Sequence, residues 1–160
     1  MVRRALISGS VFRPEGDIVV HDINPSDRWM HDTDSVLSKI HDTAVLRGWN
    51  VDEFNRHHRD LLAKYREALI IDEHRASSGI ITAFEMGKTR EWFDQGNSLI
   101  DRIYGSFTQF RSMHTKSVSA DESEEMESKF VRLLSQLREN IRDRYISDRE
   151  FERRENAGRS

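Results

Sequence analysis

Cysteine is absent from the 160 residues of this chain. A disulfide framework, a thiolate zinc site and a cysteine nucleophile are therefore excluded, and packing has to stabilise the fold. Long apolar runs are missing too. None approaches the roughly 20 residues that a bilayer span requires, so neither a transmembrane helix nor a membrane partner is expected. The short apolar run Ala5 to Phe12 follows Arg3 and Arg4 but is cut by Arg13. It lacks the length and small-residue site of a secretory signal, and the expected location is cytoplasmic or otherwise intracellular. A surplus of charge is also lacking, with 25 basic residues against 28 acidic ones and a formal net charge of −3. Both signs are mixed along the whole chain, so no basic domain marks it for nucleic acid.

What is present suffices for a core. Leu, Ile, Val and Phe make up 39 of the 160 residues, about 24%, against the roughly 20% below which charged chains tend to remain disordered. One third of the residues are charged and mean hydropathy is −0.73. Each element must then carry one apolar and one solvated face. The length fits one domain, with or without an arm.

Residues 5–12 and 17–23 are rich in β-branched types and flank Arg13-Pro14-Glu15-Gly16, a turn signal, so residues 1–25 read as a β-hairpin or extended arm. Asn24-Pro25-Ser26 breaks the pattern. From about Asp34 to Arg47, Val36, Leu37, Ile40 and Ala44 recur at helical spacing. A second helix starts at Asn50, with Glu53 completing a capping box and Trp49 able to staple onto Phe54, and runs to about residue 76. Ile80 to Met86 is ambiguous between strand and helix. From Thr89, the seam Phe93, Gly96, Ile100, Ile103, Phe107 and Phe110 alternates spacings of four and three, and Gly96 and Gly105 suggest close neighbours. Ser119 and Glu122 open a further helix, acidic at its start and basic later, as the helix dipole favours.

These patterns predict a mainly α chain: a bundle of about four helices with an N-terminal hairpin or arm and a long C-terminal amphipathic helix. Residues 26–118 form the helical core, 119–153 the long helix and 154–160 a disordered tail. A helix from 120 to 152 would be roughly 50 Å long, whereas a compact domain of this size is roughly 40 Å across. It should overshoot its own domain, its end being either a solvated arm or packed on a second chain, and Ile146 and Phe151 in the distal part favour a partner.

Three functional readings follow. Two amphipathic stripes and the long helix point to a non-enzymatic interaction or assembly protein. It would need no cofactor and would bind itself, as a homo-oligomer such as a dimer, or another protein. The expected interface is Phe107, Phe110, Leu134, Leu137, Ile141 and Tyr145. A second reading starts from the basic residues, 20 Arg and 5 Lys. Arg132, Arg138, Arg142, Arg149 and Arg153 form an Arg-rich helix face able to track the phosphates of a nucleic-acid partner. Interspersed acids oppose that field, and a GC-rich genome would give the same bias.

The third reading is a metal-dependent nucleotide phosphohydrolase. His-Asp occurs at His21-Asp22, His31-Asp32 and His41-Asp42. The dipeptide resembles the ligand element of the HD-type phosphohydrolases, which implies a divalent ion on pairs such as His31, Asp32, His41 and Asp42. Glu91-x-x-Asp94 and Glu122-x-x-Glu125 place paired carboxylates on single helical faces. In this they resemble the all-α nucleoside triphosphate pyrophosphohydrolases, although there the paired-Glu motif comes first. A P-loop, a G-x-G-x-x-G motif and a nucleophile elbow are all missing.

Overall fold

The structure is a computed structural model that describes residues 24–45, 50–114 and 119–158. It contains four helices: α1 (Pro25–Val45), α2 (Val51–Ser77), α3 (Ala83–His114) and α4 (Ala120–Gly158). Each packs on the next and α4 closes back on α1, giving an antiparallel ring around one core. The mainly α bundle is as expected, and the described residues contain no strand. The hairpin expected over residues 1–25 lies almost wholly outside the described residues, as does Trp49.

Local chemistry sets the helix ends. α1 begins about eight residues before the expected start. Asn24 caps it, its Oδ1 accepting from the Asp27 N–H at 3.0 Å and from the Ser26 hydroxyl at 2.9 Å. Pro25 occupies the first helical position, where its missing N–H costs nothing. Asn50 caps α2 by accepting from the Glu53 N–H at 2.9 Å. The end of α2 is a Schellman turn in which Gly79 takes φ 73°, Gly79 N–H donates to the Ala76 carbonyl and Ile80 N–H donates to that of Arg75. α3 opens on a capping box missing from the expectations: Glu85 N–H donates to Thr82 Oγ1 and Thr82 N–H to Glu85 Oε1, both at 3.0 Å. Ser119 accepts from the Glu122 N–H at 3.2 Å at the start of α4.

At one end of the core, Phe54 stacks on Phe107 with ring centroids 3.8 Å apart, and Phe130 closes the cluster. Halfway along, Tyr65 stacks on Trp92 at 4.7 Å while Trp29 meets both rings. Gly96 is what lets Tyr65 lie there. A Cβ at Gly96 would sit 2.9 Å from Tyr65 Cδ2 and from Asn140 Oδ1, and closer still to Tyr65 Cε2. Gly105 has nothing within 4 Å of the same construction, so the close neighbour expected there is absent.

With 39 residues α4 is about 58 Å long and runs past residue 153 to Gly158, so residues 154–158 of the expected tail are helical. Its last turns are held by α1, where Ser26 Oγ donates to Glu152 Oε1 at 2.8 Å, and by α3, where Arg154 Nη2 donates to Glu85 Oε2 at 3.0 Å.

Candidate functional site

The expected interface residues are inside the bundle. Phe107, Phe110, Leu134, Leu137 and Ile141 are all buried in the core of the single chain. Tyr145 is half-buried and its hydroxyl donates to Asp27 Oδ1 at 2.6 Å, which pushes the Tyr145 phenol pKa up. A heptad-like stripe cannot say whether its cover comes from the same chain, and here it does. Any association between copies has to use another surface.

The other candidate residues are dispersed. Arg138 binds Asp34 at 2.9 Å, Arg149 lies 3.5 Å from Glu152 and Arg153 pairs with Glu150. Those three charges are compensated locally, while Arg132 and Arg142 are exposed. His31, Asp32, His41 and Asp42 all lie on α1, the first two ahead of the helix start expected near Asp34. Asp32 faces Lys64 at 3.5 Å, and the His41 ring lies 3.2 Å from Asp42. Ten residues advance a helix by about 1000°, so the two pairs point apart. Among the described residues no group of three or more His, Asp or Glu is placed to hold a metal ion. Glu122 belongs to the Ser119 cap.

The structure does assemble polar residues where α2 ends, α3 begins and the distal half of α4 passes. Asp72 continues the buried face of α2 after Phe54, Leu61, Tyr65 and Ala68. Arg144 continues that of α4 after Leu134, Leu137 and Ile141. The Arg144 guanidinium, 5% exposed, donates from Nη1 and Nη2 to the two Asp72 oxygens at 2.7 and 3.2 Å. Its Nε and Nη2 also reach Asp148, both at 3.0 Å. Thr89 of α3 donates its hydroxyl to Asp72 Oδ2 at 2.5 Å, and Arg75 Nη1 donates to Asp72 Oδ1 at 3.0 Å. Deeper in the bundle Tyr65 donates to Asn140 Oδ1 at 2.6 Å, and Trp92 Nε1 donates to the Asn140 carbonyl at 2.7 Å.

The two carboxylates respond in opposite ways. Burial pushes Asp72 up, but Arg144, Thr89 and Arg75 outweigh it and hold the group below its ordinary value. Burial pushes Asp148 up and prevails, because Arg144 is shared and Arg75 is 3.8 Å away. Burial likewise drives the Tyr65 hydroxyl well up, so it stays a donor.

This network floors a cleft of about 650 Å³, within the usual range for ligand sites. Its apolar walls are Ile81, Phe84, Trp92 and Phe151. The charged lining consists of Asp72, Glu85, Glu91, Asp143, Asp148 and Glu150 against Arg75, Lys88, Arg144 and Arg154, a net charge of −2. Glu91 and Asp143 are exposed and have no hydrogen-bond or ion-pair partner among the described residues. Phe84 at the lip is 72% exposed. The pattern did contain a signal for this place, since charged residues occupy stripe positions at 72, 144 and 148. No protein-family model, curated protein or solved structure matches this chain.

Proposed function

We propose that the chain is a non-enzymatic helical interaction protein whose binding surface is the cleft between the α2–α3 turn and the distal half of α4. The partner is a protein segment that combines apolar with basic side chains. The observation that supports this is the coincidence, at one concave site, of an exposed aromatic side chain, Phe84, with two carboxylates that have no partner among the described residues. Single exposed apolar residues are ordinary, but Phe84 stands at the mouth of a cleft that already has aromatic walls in Trp92 and Phe151. Covering it with apolar groups gains about 25 cal/mol per Å² removed from water, and Glu91 and Asp143 select for positive charge. The Asp72–Arg144–Asp148 cluster, by contrast, is saturated with its own partners and acts as floor.

Fluorescence polarisation with labelled peptides tests the reading. A peptide alternating Arg with Leu and Phe should bind, while the same peptide with Glu for each Arg should not. Phe84→Glu and Asp143→Arg should each weaken the basic peptide at least tenfold. Equal binding of both peptides, or no effect of either substitution, would refute the proposal.

A further inference from the structure

Two guanidinium groups lie against one aromatic wall of the cleft. Arg75 Cζ is 4.1 Å from the centre of the Phe151 ring and Arg154 Cζ is 5.9 Å from it. They are held differently. Arg75 is fixed in the floor, its Nη1 donating to the buried Asp72 at 3.0 Å and lying 3.8 Å from Asp148. Arg154 belongs to the last turns of α4. Its side chain is 54% exposed, and its Nη2 donates to Glu85 Oε2 at 3.0 Å. Glu85, Phe151 and Arg154 all line the cleft. With its own side chains the protein thus shows how this corner takes a guanidinium: the charge over the ring and a donor on the carboxylate.

The carboxylate is set in place without that guanidinium. Glu85 stands in the first turn of α3, where its Oε1 accepts from the Thr82 N–H and its own N–H donates to Thr82 Oγ1, both at 3.0 Å. The capping box therefore fixes one oxygen and leaves Oε2 for a donor from across the cleft. The Thr82 N–H and Arg154 hold the Glu85 carboxyl below its ordinary value, so it is charged at neutral pH. Arg154, by contrast, is weakly retained. Exposed ion pairs shift an equilibrium by at most a factor of about five, and a cation over an exposed ring adds a similarly small factor. An arginine on a segment that also covers Phe84 and reaches Glu91 and Asp143 has contacts that Arg154 lacks.

We propose that Glu85 and the Phe151 ring form an arginine-selective subsite of the cleft, filled at rest by Arg154 and taken over by an arginine of the partner segment. The inference rests on the reading of the cleft as a site for basic, apolar protein segments. It adds that the basic residue entering here is Arg and not Lys. A guanidinium is planar and weakly hydrated, and it lies on an aromatic face while its N–H groups reach a carboxylate; an ammonium is a strongly hydrated point charge without that geometry. Displacing Arg154 lowers the partner's apparent affinity by a factor of about three to five.

Fluorescence polarisation on the full chain tests this with the basic peptide used above and a counterpart with Lys for each Arg. The unsubstituted protein should bind the Arg peptide at least fivefold more tightly than the Lys peptide, and Phe151→Leu should bring the two within twofold. Arg154→Gln should bind the Arg peptide about three- to fivefold more tightly than the unsubstituted protein. Arg149→Gln removes the same charge from α4 beside a neighbouring hollow and not from the cleft. It should leave the affinity within twofold, which separates release of the subsite from the change in net charge. Equal affinity for the two peptides, a preference that survives Phe151→Leu, or equal effects of Arg154→Gln and Arg149→Gln overturns the subsite and leaves the cleft reading standing. Failure of both peptides to bind removes the cleft reading and the subsite with it.

Discussion

Three glycines on α3 make a test in which one substitution should change sign along one helix. Alanine at a helical glycine gains about 1 kcal/mol of helix propensity. At Gly87 and Gly105 an added Cβ meets nothing within 4 Å, so Gly87→Ala and Gly105→Ala should stabilise by about 0.5–1 kcal/mol. At Gly96 the methyl enters the edge of the Tyr65 ring, which is fully buried and cannot swing away without leaving Trp92 and Asn140. Overpacking costs about 1–3 kcal/mol, and a broken buried hydrogen bond costs about 1–3 kcal/mol. After the propensity gain, Gly96→Ala should lose about 3 kcal/mol. At about 2–4 °C per kcal/mol for a chain of this size, its Tm should fall by roughly 6–12 °C, while the other two rise by roughly 2 °C. Thermal unfolding followed by circular dichroism, with urea titrations at fixed pH, reads all three. Gly96→Ala as stable as the parent, or three shifts of one sign, would refute the close approach on which the middle of the core is argued.

Asp72→Asn should cost about 3–5 kcal/mol in urea, since it strips the buried Arg144 of its main partner. Asp148→Asn should cost under about 1 kcal/mol, because burial already opposes that charge; equal losses would contradict the opposite responses of the two carboxylates. The Asp72 contribution should be complete above the ordinary value of 3.8 and decline only as pH falls below it. His58 stacks on Phe54 with its Nε2 buried and unpartnered, and burial lowers its pKa below 6.5 against the opposing charge of Asp101 and with that of Arg59. The unfolded chain therefore binds the proton first, and stability should decline as pH drops through 6.5. His58→Phe should reduce the fall of the urea midpoint between pH 7.5 and 5.5, leaving the part due to His57, whose pKa burial also lowers, and an unchanged slope would count against this. Leu137→Glu should unfold the chain, whereas Phe84→Glu should leave its helical signal and sedimentation unchanged; a folded Leu137→Glu would contradict the enclosure of the interior stripe.

Much of the bundle was legible because apolar period and caps are local. The Asn50 and Ser119 caps and the stripes of the last three helices came from neighbouring residues alone. The start of α1 was obscured because proline reads as a breaker, although at a first turn it is a helix former capped here by Asn24. The Thr82–Glu85 box was hidden by the apolar residues Ile80 to Met86, whose composition suits a strand equally well. The cleft was illegible for a different reason. Arg144 and Asp72 are 72 positions apart, and nothing in either helix names the other. Only their spacing hinted at burial: 61, 65, 68, 72 and 75 on α2 and 134, 137, 141, 144 and 148 on α4 carry an apolar rhythm into charged residues.

That continuation gives the two ends of the bundle different physical roles. Leucines, isoleucines and phenylalanines at the end containing Phe54, Phe107 and Phe130 bury apolar area without regard to sequence neighbour, so sliding α4 by one heptad would exchange one apolar contact for another. The same slide would put Leu137 where Arg144 now stands. Asp72 would be left as a buried carboxylate without its fork, a loss of about 3–5 kcal/mol, and Thr89 would donate to an uncompensated charge. Buried ion pairs add little net stability over apolar packing, yet this one makes a single register of α2, α3 and α4 far lower in energy than its neighbours. Register in turn decides the cleft, because its lip comes from the α2–α3 turn and its far wall from Asp143, Ser147 and Phe151 on α4. The ion cluster thus shapes the cleft through alignment: it holds Phe84 and Asp143 across one opening.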